Sequence, residues 1–490
     1  MTGAMTGPGE PRHVVVVGGG IAGLAAAYFL RDCAASITVF EGSPRLGGKL
    51  AVSDVAGIAT DEGAEALLAR RLEGTDLIRA VGLGEKLVTP GTTAARVWTR
   101  GTFRELPGRQ FMGVPSDFGE LARSDVLSDA GLARARLDAE LPAIPLDGDV
   151  PVASRVSARF GQEVVDRLVD PLLGGVYAGR SEELSFEATL PALAAAARRH
   201  RSLAQAVGAL LPPRPQAANG ARPEAVFTTL AGGLGTLPPA VAAASGATLR
   251  TGSMVRELTR TQHGWRLVIG PASAPEVVAA DAVVLAVPAR PASRLLAGAA
   301  GSAAAALGEI RYASMAIVTL AYPRSAFGVP LAGSGYLVPA VDRRAVKAVT
   351  FSTVKWPHLL PGGADVHIVR CSVGRIGDDA ILQRDDAELA ALAAQDFAAA
   401  TGASGGTVEA RVTRWGGALP QYTVGHLDRV ARIRAAVAAQ PGLAVCGAAY
   451  DGLGIPACIA TARSAADQVL GYLATRSGGR GGLDRGDGGQ

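Results

Sequence analysis

A glycine-rich turn close to the amino terminus is the first group of residues whose spacing predicts chemistry. It follows the β-branched run His13 to Val17 and precedes the apolar stretch Ile21 to Arg31. Gly18 permits a tight turn, Gly20 lets the backbone approach a pyrophosphate, and Gly23 lets helix and strand pack closely. The start of the helix also favours a phosphate through its partial positive charge. The turn therefore predicts a dinucleotide site, with candidate contacts from Gly18, Gly19, Gly20, Ile21, Ala22 and Gly23.

An acidic residue and a second glycine pair follow the next predicted strand, Ser36 to Phe40. Glu41 ends that strand, where a carboxylate accepts hydrogen bonds from a ribose 2′-hydroxyl. Gly47 and Gly48 allow another close pass of the backbone beneath a diphosphate, and Arg45 can reach an adenosine or phosphate oxygen. This segment resembles flavoproteins of the amine oxidase and desaturase superfamily, and its candidate contacts are Glu41, Gly42, Arg45, Gly48 and Lys49.

The elements that must position these groups come from distant parts of the chain. Residues 281–287 and 443–446 are short apolar runs of the kind that form buried parallel strands. Their separation predicts that the intervening segments leave the sheet and build a second domain. We expect an α/β protein with a discontinuous, Rossmann-like FAD/NAD(P)-binding domain and an α+β substrate domain. The predicted boundaries are a flexible leader at 1–12, a cofactor domain at 13–90, 225–300 and 440–473, a helical substrate-binding insertion at 91–224, a substrate-domain sheet at 301–439 and a disordered glycine-rich tail at 474–490.

Four further segments, residues 61–66, 171–179, 230–238 and 445–459, resemble the protoporphyrinogen and coproporphyrinogen oxidases of haem biosynthesis. The similarity extends from His13 to about Leu473 and implies the two-lobed amine oxidase fold with FAD as cofactor. It places the backbone of residues 63–66 and the turn at residues 454–456 against the flavin. The contacts that it implies are Gly63, Ala64, Glu65, Ala66, Val255 at the adenine, Trp415, Gly447, Gly454, Ile455 and Pro456.

The turn at residues 454–456 also makes physical sense without the resemblance. Gly454 to Cys458 precede a predicted helix from Ile459 to Leu470. Backbone amides at the start of a helix can point at the electron-rich edge of a reduced flavin.

Substrate contacts are less well defined by the residues. The resemblance places the Gly175 backbone against the substrate ring, and a packing turn is the alternative role for this glycine. Arginines are suited to clamp propionates. The candidates that follow the residue 63 motif are Arg70, Arg71, Arg104 and Arg109, each of which is also consistent with a solvated surface arginine.

The resemblance implies a six-electron oxidation of a porphyrinogen by dioxygen, with release of hydrogen peroxide. Coproporphyrinogen III carries four carboxylates and protoporphyrinogen IX two, and the residues do not decide between these two substrates. The composition and the motif forms resemble actinobacterial sequences, which favours coproporphyrinogen III. A different flavin amine oxidase or desaturase on the same scaffold and a non-catalytic nucleotide-fold binding protein are the alternatives. No catalytic side chain is assigned, because the flavin carries the chemistry.

Composition argues against several other classes. Lysine and arginine number 48 against 44 acidic residues, which leaves a net charge of only +4. The arginines are scattered among the acidic residues and form no basic stripe, so the sequence does not indicate nucleic acid as a partner. The four cysteines form no CxxC pair and the six histidines have no zinc-motif spacing, so we expect no metal and a cytoplasmic protein. Peripheral membrane contact through Leu193 to Leu211 and hand-over of product to a downstream haem-pathway enzyme stay open.

Overall fold

The computed structural model of the protein describes residues 12–143, 148–213, 225–360 and 365–478, and a five-stranded parallel sheet organises its cofactor half. Its central strand buries Val14 to Val17 almost completely, as expected for a strand covered on both faces. Segments from the beginning, middle and end of the chain meet in this sheet, as the sequence predicted. The strands lie in the order Thr248–Arg250, Ala35–Phe40, Arg12–Val17, Ala282–Leu285 and Leu443–Val445.

Two hydrophobic cores cover the two faces of the parallel sheet. Val14 and Val16 face one core, whereas Val15 and Val17 face the other, because side chains alternate along a strand. The first core contains helices Ile21–Leu30, Leu72–Ala80, Leu237–Ser245 and Ile455–Gly478. The second contains helices Ala289–Leu296, Gly301–Gly308 and His426–Ala438 and the antiparallel strands Val255–Arg260, Trp265–Ile269 and Glu276–Ala280.

A seven-stranded mixed sheet forms the centre of the other half. Its strands lie in the order Glu409–Pro420, Tyr312–Pro323, Val366–Val373, Val346–Phe351, Gly335–Leu337, Ala95–Thr99 and Thr102–Glu105. Helix Asp386–Thr401 packs on it, and the short helix Ser352–Lys355 follows one strand. The insertion predicted as helical and substrate-binding at 91–224 also contributes two strands, Ala95–Thr99 and Thr102–Glu105, which extend this sheet.

A helical unit fills most of the remaining insertion and has its own apolar core. Leu193, Leu203 and Val207 are buried in that core, so these side chains of the candidate membrane segment face inward. The helices are Phe118–Ser124, Asp129–Arg136, Val152–Phe160, Gln162–Val164, Asp170–Tyr177, Phe186–Thr189, Pro191–Ala197 and Leu203–Leu210, with a π-helical turn at Val165–Val169.

Short strands connect these units. They are the hairpins Val52–Val55 with Ile58–Asp61 and Gln110–Phe111 with Val114–Pro115, and the three-stranded set Leu67–Leu68, Phe227–Leu230 and Leu87–Val88.

The chain ends differ slightly from the predicted boundaries. The first strand begins at Arg12, one residue before the predicted start of the fold, and the last helix extends to Gly478. Residues 474–478, predicted as tail, are therefore helical. The leader at 1–11 and the rest of the tail at 479–490 lie outside the described residues.

Candidate functional site

The glycine turn lies at the carboxyl end of the central strand, where ligands bind in open α/β sheets. A Cβ atom on Gly18 would stand 2.6 Å from the Ala286 carbonyl oxygen, and one on Gly23 would stand 1.9 Å from the Gly18 carbonyl oxygen. At Gly20, by contrast, no atom of the described residues other than its two chain neighbours lies within 4 Å of such a Cβ. Two glycines are thus required for packing and the third faces open space, as approach of a ligand to the backbone requires.

The first helix begins at Ile21 with Gly20 as its N-cap, and no side chain of the described residues caps it. Its first backbone amides therefore combine positive partial charge with an open neighbourhood at Gly20. This arrangement fits a pyrophosphate.

Glu41 is held rigidly beside this turn. Its carboxylate accepts hydrogen bonds from the backbone N–H of Gly19 at 2.7 Å and of Ser43 at 2.8 Å. Each carboxylate oxygen has further acceptor capacity, so ribose hydroxyls can be accepted at the same group. Ser253 donates its N–H to the Glu41 carbonyl at 2.8 Å, which brings the segment leading to Val255 next to Glu41.

The second glycine pair touches the first turn. The backbone N–H of Gly47 donates to the Gly19 carbonyl at 2.8 Å, and a Cβ on Gly48 would stand 3.4 Å from the Gly20 Cα. Arg45 donates to the Gly48 carbonyl at 2.7 Å, so this guanidinium braces the second turn. Burial lowers the pKa of the Lys49 side chain. The backbone carbonyl of Lys49 contacts the loop that contains Gly63.

The loop that contains Gly63 lies against that carbonyl. A Cβ atom on Gly63 would stand only 2.0 Å from the Lys49 carbonyl oxygen, so the two backbones are in direct contact. The indole of Trp415 donates to the Glu62 carbonyl at 2.9 Å, and the Arg45 guanidinium carbon lies 5.7 Å from the Trp415 ring centre. The structure therefore brings together Arg45, Gly63 and Trp415, three of the predicted contacts.

Two further predicted segments approach the same edge of the parallel sheet. Gly447 follows the last strand, and a Cβ there would stand 3.8 Å from the Ala22 Cβ. The long carboxyl-terminal helix begins at Ile455, four residues earlier than predicted. Its first free backbone N–H groups are those of Ile455 and Ala457, because Pro456 has none and the Cys458 N–H donates to the Gly454 carbonyl at 3.0 Å. Pro456 packs near Gly74 of the helix Leu72–Ala80.

The candidate substrate residues are dispersed in comparison. Gly175 is exposed on the helix Asp170–Tyr177, and a Cβ there would stand 3.7 Å from Leu337 of the seven-stranded sheet. Arg70 is exposed, and Arg71 forms an ion pair with Glu73 at 2.7 Å. Two other candidates are engaged as well: Arg104 pairs with Asp125, and Arg109 donates to the Pro212 carbonyl at 2.7 Å. The roles of these four arginines as propionate contacts stay predictions.

The sequence reasoning missed several buried charges in the seven-stranded sheet. Burial and the neighbouring Arg375 lower the pKa of Lys347 to about 7, while its ammonium donates to the Gly374 carbonyl at 2.6 Å. Arg375 in turn pairs with Asp170 at 3.1 Å. Lys355 and Arg370 both form ion pairs with Glu65. The scarcity of lysine was the available signal, because two of only four lysines fall in this sheet region.

Two negative findings concern only the part of the chain that the structure describes. Within it, no three histidine, cysteine or acidic side chains are grouped so that they could hold a metal ion. No described helix has both the length and the apolar character that crossing a bilayer requires.

Comparison with known proteins places this geometry among flavoproteins. The sequence model described as flavin containing amine oxidoreductase matches residues 21–470. The chain is 37% identical over 465 residues to the coproporphyrinogen III oxidase of Mycobacterium tuberculosis (strain H37Rv), covering 94% of this chain and 98% of that protein. It is 30% identical over 497 residues to the protoporphyrinogen oxidase of Bos taurus, covering 94% and 98%. A solved structure from Exiguobacterium sp. 255-15 superposes with a TM-score of 0.82 at 30% identity, covering 94% and 98%.

Proposed function

Because the chain belongs to the flavin containing amine oxidoreductase family, we propose that it is an FAD-dependent oxidase that converts coproporphyrinogen III to coproporphyrin III. The observation that carries this proposal is the match, along almost the whole chain, with the mycobacterial protein of that name. The reaction consumes dioxygen, releases hydrogen peroxide and serves haem biosynthesis.

The residues at the edge of the parallel sheet fit FAD. The open position at Gly20 and the uncapped start of the first helix would receive the pyrophosphate, and Glu41 would accept the ribose hydroxyls. The Val255 backbone would meet the adenine. When bound, FAD supplies the acceptor for a hydride from a bridging carbon of the macrocycle.

The protein's own contribution is positioning. The backbone from Gly63 to Ala66 and the turn from Gly454 to Pro456 would hold the ring system, and the amides that begin the last helix would favour negative charge there. Gly175 and the candidate arginines would orient the macrocycle and its propionates. Little acid–base catalysis is required, because formation of an aromatic porphyrin drives the reaction.

Protoporphyrinogen IX is the second candidate substrate, favoured by the match to the bovine protoporphyrinogen oxidase. The two substrates differ in the number of carboxylates that the protein must neutralise. The arginines and lysines that face the macrocycle therefore decide between them.

Anaerobic mixing of the purified holoenzyme with each porphyrinogen tests the proposal. We expect coproporphyrinogen III to bleach the flavin absorbance fastest, and admission of air to restore it with porphyrin fluorescence and peroxide. Faster bleaching by protoporphyrinogen IX would transfer the assignment to the second candidate. Bleaching by simple amines alone would indicate an amine oxidase, and a colourless purified protein would indicate a non-catalytic binding protein.

The remaining expectations about the cellular role stay predictions. They are a cytoplasmic location, peripheral contact with a membrane surface and hand-over of the porphyrin to the next enzyme of haem biosynthesis.

A further inference from the structure

A buried ion cluster joins the loop around Gly63 to the seven-stranded sheet. The Glu65 carboxylate lies between the Lys355 ammonium at 2.6 Å and the Arg370 guanidinium at 2.5 Å. The three side chains are 14%, 16% and 6% exposed. Lys355 ends the short helix Ser352–Lys355, and Arg370 lies within the strand Val366–Val373. The carboxylate therefore reaches across from the cofactor half to two elements of the other half.

The same sheet also holds the backbone of this loop. Arg370 donates through its other terminal nitrogen to the Gly63 carbonyl at 2.5 Å, and Trp415 donates to the Glu62 carbonyl. On its other side, Gly63 rests against the Lys49 carbonyl. The loop of residues 63–66, called the flavin-facing loop because the proposed function places it at the flavin, is thus held between the second glycine turn and the seven-stranded sheet.

The Glu65 carboxylate stays ionised despite its burial. Burial alone would raise the pKa of Glu65, but Lys355 and Arg370 together lower it to about 2. A small cavity of about 20 Å³ borders the cluster, which is room for about one water molecule. Among the described residues, Thr229 Oγ1, Ser352 Oγ and Arg370 Nε have no hydrogen-bond partner, and all three residues line this cavity. A single ordered water there would donate to or accept from these polar groups.

We propose that Glu65, Lys355 and Arg370 are positioning residues that fix the flavin-facing loop and set the electrostatic potential at the flavin. This inference rests on the proposed function. The guanidinium of Arg370 is the central element, because it bonds both the Glu65 carboxylate and the Gly63 carbonyl and so couples charge to loop geometry. Any displacement of the strand that carries Arg370 is transmitted to the loop through these two bonds.

The sign of the effect on the flavin follows from charge. Reduction adds electron density to the flavin, so a nearby positive charge favours the reduced form. Glu65→Gln leaves two cations without their carboxylate and should raise the reduction potential. Lys355→Met removes a cation and should lower it. The double variant should return towards the wild-type value.

Redox titration of the FAD-loaded variants against reference dyes tests these signs. We expect each single variant to shift the equilibrium with the dye at least tenfold, which corresponds to about 30 mV for a two-electron couple. Arg370→Lys keeps the charge but cannot hold both oxygens, so we expect kcat with coproporphyrinogen III to fall at least tenfold while KM changes less than threefold. Arg159→Lys is the matched control, because Arg159 forms an ion pair with Asp138 in the helical unit that is even more buried than this cluster. It should lower the melting temperature without shifting the potential.

The possible outcomes separate this inference from the proposed function. Unchanged potentials, or shifts of equal sign in Glu65→Gln and Lys355→Met, would show that the cluster is only structural. A wild-type protein that binds flavin but oxidises no porphyrinogen would overturn the proposed function alone, since the potentials remain measurable. A wild-type protein that binds no flavin would overturn both. If Glu65→Gln fails to fold, Lys355→Met and the double variant still decide the sign.

Discussion

Substitution of Gly63 by alanine tests most directly whether this loop lies against the flavin. Gly63 does not have a left-handed backbone conformation, so alanine introduces a steric contact and no backbone strain. The added Cβ would stand 2.0 Å from the Lys49 carbonyl oxygen, whereas an ordinary contact requires about 3.4 Å. The loop and the second glycine turn must therefore separate by about 1.4 Å.

The size of the expected effect follows from this displacement. Overpacking of this kind costs about 1–3 kcal/mol, and a misplacement of about 1 Å at a reacting centre costs roughly 100-fold in rate. We therefore expect Gly63→Ala to weaken FAD binding about tenfold or more and to lower kcat about 100-fold.

Fluorescence titration of the apoprotein with FAD and steady-state kinetics of the reloaded enzyme measure these two quantities. Gly208→Ala is the matched control, because no described atom outside the neighbouring backbone of the helix Leu203–Leu210 lies within 4 Å of the added methyl. It should leave both quantities unchanged and stabilise the helix by up to about 1 kcal/mol. A Gly63→Ala enzyme with wild-type affinity and rate would refute the placement of this loop at the flavin.

Three further variants test other parts of the structure. Burial raises the pKa of Asp61 to about 6, so the stability contributed by its proton is complete below pH 3.8 and is lost as the pH rises through 6. Relative to Asp61→Asn, the wild type should therefore lose up to about 3 kcal/mol between pH 4 and pH 7, and parallel melting curves across this range would contradict the assignment. Glu41→Gln should weaken FAD binding about tenfold in the same titration, because charge-assisted hydrogen bonds to the ribose are lost; an unchanged affinity would place the ribose elsewhere. Asp138→Ala leaves the buried Arg159 guanidinium without its carboxylate and should lower the unfolding free energy by about 3–5 kcal/mol, measured with urea; a loss below about 1 kcal/mol would show that the ion pair is dispensable.

The edge of the parallel sheet that carries the glycine turn was predictable because its signals are local. The strand from Arg12 to Val17, the glycine turn and the helix from Ile21 are contiguous. A side chain at Gly18 or Gly23 would collide with the backbone, whereas Gly20 has free space beside it. Buried parallel strands also have a recognisable composition, as in the run from Val14 to Val17.

The substrate half was less predictable because its contacts are distant in sequence. Lys355 and Arg370 meet Glu65 across 290 and 305 residues, and neither has a motif that would predict a carboxylate partner. The strand Ala95–Thr99 was assigned to a helical insertion because its parallel partner, Gly335–Leu337, lies far along the chain. Its half-buried pattern alone does not distinguish a short strand from a loop.

The choice between the two porphyrinogens also depends on contacts that are distant in sequence, so the rates with the two substrates must be measured. Arg71 and Arg104 already have acidic partners in partly exposed ion pairs, and such pairs contribute only about 0–1 kcal/mol. A substrate propionate can therefore replace the acidic partner at little cost, so an ion pair does not remove either residue from the candidates. The buried pair of Arg375 with Asp170 is different, because breaking it would leave a charge unpaired in the interior. We therefore expect the exposed and partly exposed arginines, rather than buried ones such as Arg375, to meet the carboxylates of the substrate.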